Sequence, residues 1–270
     1  MEEGDQGTLR IDREASLLLE NMTFDEVASA VAGGRRTIVV PCGAMEQHGR
    51  HLPLDVDAVH AERLGAEIAE RLGDALVAPT IRVGISPHHM SFPGTISLRP
   101  ATFEAVYTDY CRSLAAHGFR NILCFSAHGG NFAPLADMGQ RLSAEVAPAS
   151  RVIVFSDLVR LVETWRAVVA EAGGRPDHVG GHADVAESSV YAYLRPGQVR
   201  SDRLAQGYLG PVDDDFLERL FTGGVLSLSD NGVLGDPHGF TSEIGRLCVD
   251  RVADLIAGHF RDQLRADGPS

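Results

Sequence analysis

Four apolar runs, at 37–41, 76–83, 121–126 and 151–156, alternate along the chain with longer stretches whose apolar residues return at helical spacing. Nearly continuous apolarity predicts strands that are buried on both faces. The intervening stretches, 57–72, 101–117, 132–146 and 158–172, predict helices. In the first of these, Val59, Leu64, Ile68 and Leu72 form the apolar side, opposite Glu62, Arg63, Glu67 and Arg71. This alternation predicts an α/β fold, a mostly parallel central sheet with helices on both faces. Further helices are predicted over 23–31, with Thr23 and Glu26 as a capping box, over 187–194 and over 242–264. Residues 222–240 are rich in Gly, Ser and Asp and read as a loop or hairpin, and 1–8 and 266–270 read as frayed ends. The 270 residues fit one domain, 1–270, with its core between about 20 and 265.

Composition narrows the function. A net charge of −13 argues against nucleic acid or an anionic membrane as partner, because both need clustered cations. All 24 basic residues are Arg, so lysine Schiff bases, covalent pyridoxal phosphate and a P-loop lysine are excluded. The four cysteines form no C-x-x-C pair, and Cys42 and Cys124 fall at or in apolar strands, as buried thiols do. No apolar run reaches the roughly 20 residues of a membrane span, and the acidic N-terminus is unlike a secretory leader. A cytoplasmic location is expected.

Chemistry concentrates after three of the apolar runs or glycine-rich turns. Residues 46–57 hold three acidic side chains and two imidazoles within twelve positions, directly after the first strand. Glu46 and His48 are two apart in extended chain and can point to one side. Asp57 opens a helix, where the dipole favours a carboxylate. Taken singly, each reads equally well as a loop polar residue or a helix cap. His128 follows the third strand in Ser126-Ala127-His128-Gly129-Gly130-Asn131, on the same carboxyl edge of the sheet, and Asn131 is a plausible N-cap. A third cluster places His182 in a glycine-rich loop and Glu187 at a helix start; His88 and His89 follow the second strand. Three carboxylates (Glu46, Asp57, Glu187) and two imidazoles (His48, His128) would balance two divalent ions and a bridging hydroxide, the charge pattern of a two-metal hydrolase. Ligands of O and N without thiolate suit Zn, Mn or Fe. No G-x-S-x-G elbow is present.

These segments resemble the creatininase (creatinine amidohydrolase) family, whose pattern is E-Q-H-G-x-H-L-P-L-x-x-D, H-G-G-N and H-A-x-x-x-E-[ST]-S. They stand here at 46–57, 128–131 and 182–189. The resemblance implies a three-layer α/β/α fold and hydrolysis of an amide C–N bond with a metal-activated bridging hydroxide. It implies Glu46 and His128 on one metal, His48 on the other and Asp57 between them. Creatininase takes a further ligand from a Glu where this chain has Gly130; Glu187 is then the replacement, as in the H-G-G-N members. His182 corresponds to an acid/base histidine, with Glu187 beside it in the catalytic set, and His89 to a histidine of the substrate pocket. Homo-oligomeric assembly, as a hexamer, is also implied.

The departures from the family are Arg50 for a usual Pro, Val56 for a common Thr and His88 where Glu often precedes the pocket histidine. Arg50 and His88, with Asn131, are read as substrate contacts, the first two suggesting a polar or anionic group. The leading reading is an amidohydrolase for a small amide, cyclic ones included. Peptidase and deformylase members of the family make a short peptide or a formamide the alternative, and a non-catalytic metal- or ligand-binding protein is the reading from outside the enzyme class.

Overall fold

A computed structural model describes residues 17–266. The frayed ends expected at 1–8 and beyond 266 lie outside the described residues, and residue 266 ends a helix. Four parallel strands form the central sheet: β1 (Thr37–Cys42), β2 (Ala75–Val77), β3 (Asn121–Ser126) and β4 (Arg151–Val154), in the order β2-β1-β3-β4. The helices are α1 (Phe24–Ala32), α2 (Val56–Leu72), α3 (Pro100–Ala116), α4 (Phe132–Val146), α5 (Leu158–Glu171), α6 (Val185–Leu194), α7 (Asp214–Gly223) and α8 (Ser242–Ala266). Thr23 and Glu26 form the capping box of α1.

Alternation along the strands divides the core between two faces. Val39, Leu123 and Ile153 pack with apolar residues of α2, α5, α6 and α8. Ile38, Val40, Ile122, Cys124 and Val152 point the other way, against α3 and α4. The result is helices, sheet and helices, with all four cysteines buried as free thiols. Every crossover that builds this sheet joins parallel strands. Strand order reverses between β1 and β3, so their carboxyl ends flank a crevice.

Two departures from the sequence reading bear on the site. The second strand ends at Val77 rather than running to 83, because Pro79 has no N–H for the ladder; pairing resumes only as a bridge between Cys42 and Ile81. Residues 222–240 form no hairpin of their own. They hold the end of α7 and strand β6 (Leu234–Gly235), which pairs antiparallel with β5 (Val179–His182). Helix α7 had no sequence reading, and the segment read as the glycine-rich loop of His182 forms strand β5. A signal for α7 was present: Asp213 caps it by accepting from the Phe216 N–H at 3.0 Å, and Phe216, Leu217, Leu220 and Phe221 follow at helical spacing.

Candidate metal centre

The loop leaving β1 carries Glu46 and His48 into the crevice, and α2 begins close enough to add Asp57. Gly43 makes that approach feasible, since a Cβ there would sit 2.5 Å from backbone atoms of Ala58. The end of β3 supplies His128. The turn from β5 into α6 supplies His182 and Glu187 through Ala183, which adopts a left-handed φ of 53°. Such a conformation is unfavourable for a residue with a Cβ. It is held by two contacts: the Ala183 N–H donates to Glu187 Oε2 at 2.5 Å, and Asp184 caps α6 by accepting from Ala186 and Glu187.

All six side chains are buried. His48 Nδ1 faces the Glu46 carbonyl at 3.1 Å, which directs its Nε2 to Asp57 Oδ1 at 3.2 Å and Glu187 Oε2 at 3.6 Å. His128 Nε2 faces the Ile85 carbonyl at 3.0 Å, which directs its Nδ1 to Glu46 Oε1 and Asp57 Oδ2, both at 3.3 Å. Each ring is thus anchored to backbone through one nitrogen and offers the other to carboxylates, as histidine ligands do. Three overlapping groups could each hold an ion: Glu46–Asp57–His128, His48–Asp57–Glu187 and Glu46–His48–His182. Asp57 turns one oxygen toward His48 and the other toward His128.

The donor set fits a divalent ion on independent grounds. Both carboxylate oxygens of Glu46 and Oδ2 of Asp57 are buried without a well-formed hydrogen bond, and only imidazole nitrogens stand near Glu46 Oε1 and Asp57 Oδ2, at 3.2–3.3 Å. Buried charge left this way is costly unless something positive compensates it. Gly130, by contrast, can offer nothing, and a Cβ there would lie 2.4 Å from the Ile85 carbonyl oxygen and 2.5 Å from His128 Nε2. Glu187 stands on the opposite side of the crevice and reaches the His48 group instead.

The same charges split the histidines. Burial disfavours charge on His48, but Asp57, Glu187 and Glu46 outweigh it and hold the ring up to about 10. Against the same burial penalty, Glu46 and Asp57 raise His128 well above its ordinary value. Burial pushes Glu187 up to about 8 despite the attraction of His48. For Asp57, burial is overcome by His48 and His128, which keep it ionised. Burial, reinforced by neighbouring imidazoles, holds His182 and His89 well below the ordinary histidine value and His88 down to about 4.

Gln47, which has no assigned role in the sequence reading, organises the neutral histidines. Its backbone carbonyl accepts from His182 Nε2 at 2.8 Å, leaving His182 Nδ1 to face Glu46 Oε1 at 3.6 Å and Glu187 Oε2 at 4.0 Å. Its side-chain N–H groups then go to His89 Nδ1 at 2.9 Å and the Gly232 carbonyl at 3.0 Å. His51, also unassigned, ties the loop to α6 through Ser188 Oγ at 2.9 Å. A Gln beside two ligands and a Ser beside Glu187 were the available signals, but their partners lie 42 to 185 residues away.

A cavity of about 500 Å³ opens over the cluster, lined by Glu46, Asp57, His88, His89, His128, His182 and Glu187. Two expected substrate contacts are not among the residues that line it. Asn131 does not line it: its amide is spent on the Gly43 carbonyl, Ser126 Oγ and the Ile85 N–H, so it ties three loops together. Arg50 is exposed and does not line the cavity either. With Arg50 outside and His88 neutral, the expected attraction for an anionic group loses its basis.

Comparison with known proteins agrees with this geometry. The family model described as creatininase, creatinine amidohydrolase, matches residues 20–259. The chain is 36% identical over 265 residues to creatinine amidohydrolase from Pseudomonas putida, covering 91% of this chain and 98% of that one. It is 34% identical over 238 residues to the mycofactocin precursor peptide peptidase of Mycobacterium ulcerans (strain Agy99), covering 82% and 86%. Among solved structures, "Creatininase Mn" superposes with a TM-score of 0.76 at 28% identity, covering 92% of this chain and 98% of that one. The chain belongs to the creatininase family and is a hydrolase acting on carbon–nitrogen bonds.

Proposed function

We infer that the protein is an amidohydrolase working with two divalent ions, Zn, Mn or Fe, that cleaves the C–N bond of a small amide. The observation that carries this reading is the set of buried carboxylate oxygens of Glu46 and Asp57, lacking well-formed hydrogen bonds and faced by two imidazoles anchored to backbone. Glu46 and His128 would hold one ion, His48 and Glu187 the other, and Asp57 both. When bound, such ions lower the pKa of water and polarise a carbonyl.

The remaining work belongs to the chain. His182 is neutral, with Nε2–H committed to the Gln47 carbonyl, so Nδ1 is the atom free to take a proton and pass it to the leaving nitrogen. His89, fixed by Gln47, presents Nε2 on the cluster side, 3.2 Å from Glu46 Oε1. His88 forms wall beside it. Burial of the whole set keeps bulk water from competing for these groups.

A short peptide is the second reading, favoured by a cavity of about 500 Å³ and by the likeness to a peptide peptidase. No described helix is long and apolar enough to cross a membrane, and the reading places the enzyme in the cytoplasm as a homo-oligomer, a hexamer on the family resemblance. Metal analysis should find close to two ions per chain. A mass-spectrometric screen of cyclic amides, formamides and short peptides should find amide hydrolysis that chelators abolish. Chelator-insensitive hydrolysis by metal-free protein would refute the proposal.

A further inference from the structure

The floor of the cavity is polar, but its two long walls are not. Leu158, Val159 and Val162 of α5 face it from one side and Leu217, Leu220 and Phe221 of α7 from the other. Val159 is 74% exposed and Phe221 70% exposed, a costly placement for large apolar groups unless something covers them. Helix α7 explains how they come to lie there. Phe216 is the anchor, packed with Val225 and Leu234 and backed by Leu220, while Leu217 and Phe221 are left exposed at the cavity.

The patch is continuous with the metal centre. The Phe221 ring meets His88 edge-on at 6.2 Å, and His88 stacks on the ligand candidate His128 at 5.8 Å. A group resting on Phe221 is therefore two rings from the reacting centre. The charged residues of the wall cannot compete for it: Arg166 pairs with Glu163 at 2.9 Å and donates to the Val179 carbonyl at 3.2 Å.

We propose that α5 and α7 form an apolar clamp that selects amides bearing a bulky apolar substituent, aromatic or branched aliphatic, next to the scissile bond. This deepens the hydrolase reading above and rests on it for the identity of the bond. The occupant is the substrate's own apolar group, because the patch runs unbroken from the cavity lip to the ring beside His128. A small polar amide would leave Phe221 and Val159 uncovered.

Trp165 gives a test that does not depend on turnover. It is the single tryptophan of the chain and lines the cavity, so its fluorescence reports occupancy. Metal-loaded protein is titrated with N-benzylacetamide and N-methylacetamide, and amine release from both is followed in parallel. The benzyl compound should bind about tenfold or more tightly than the methyl one. In Phe221→Ala and Val159→Ser, both at exposed positions and checked for metal content, the ratio should fall toward one. Phe24→Ala, which removes an exposed ring on α1 outside the cavity, should leave it unchanged. Equal binding of the two amides would overturn the clamp, as would a ratio untouched by both cavity substitutions. A sedimentation shift in those variants without a change in ratio would do the same, since a second copy would then be the cover. A strong benzyl preference without any amine release would keep the clamp and count against the hydrolase reading.

Discussion

On the proposed ligand set, metal loading should expel protons. In the metal-free protein His48 is held up to about 10, His128 is well above its ordinary 6.5 and Glu187 is pushed up to about 8, so all three are largely protonated at pH 7. A metal needs His48 Nε2, His128 Nδ1 and the Glu187 carboxylate bare. One proton from each gives about three released from the ligands per pair of ions, to which a bound water that ionises adds its own. While all three remain protonated, the combined affinity for the pair should fall by at least about three powers of ten per unit of acidification, or about 4 kcal/mol. Calorimetric titration with Zn or Mn in two buffers of different protonation heat measures the number directly. Release of fewer than one proton at pH 7, or affinity that is flat between pH 6 and 8, would refute the reasoning.

The same shifts set the stability of the metal-free protein. The folded-state pKa values of His48 and His128 are raised, so their contribution is present below about 6.5 and, for His48, lost as pH rises through about 10. Glu187, raised from 4.5 to about 8, acts in the same direction across that interval. The melting temperature without metal should therefore decline from neutral to alkaline pH, and loading should flatten the decline.

Three further outcomes are expected. Asp57→Ala should lose both ions together, because its two oxygens serve different groups, whereas Glu187→Ala should lose one preferentially; metal content per chain distinguishes them. His182→Ala should keep its metal while turnover falls on the order of 10²–10⁴-fold, and unchanged turnover would remove His182 from the chemistry. Asn131→Ala strands buried partners at Ile85, Gly43 and Ser126 and should cost about 3 kcal/mol or more in denaturant unfolding; normal stability with a raised KM would restore Asn131 as a substrate contact.

Much of the framework was legible because its signals are local. The runs at 121–126 and 151–156 and the periodic stretches around 57–72 and 132–146 each carry their own pattern, and the capping box of α1 lies within four residues. What escaped was non-local or overruled. Pro79 cut the second strand short, β5 and β6 are short strands whose antiparallel partners are some 50 residues apart, and Gln47 meets His89, His182 and Gly232 only after folding. The hydrogen bonds of Asn131 were invisible for the same reason, since its partners come from three separate loops.

The sequence by itself determined the alternating α/β order, the absence of lysine chemistry and the residue types of the centre, because composition and spacing are properties of the chain alone. Only the tertiary structure decided that Glu46, Asp57 and His128 converge in a buried cluster, that Gly130 has no room for a ligand, and that Arg50 stays outside the cavity. The physical reason is distance. Burial, electrostatic shifts and cavity walls depend on atoms brought together from β1, β3, β5, α5 and α7, and no local pattern encodes their mutual approach.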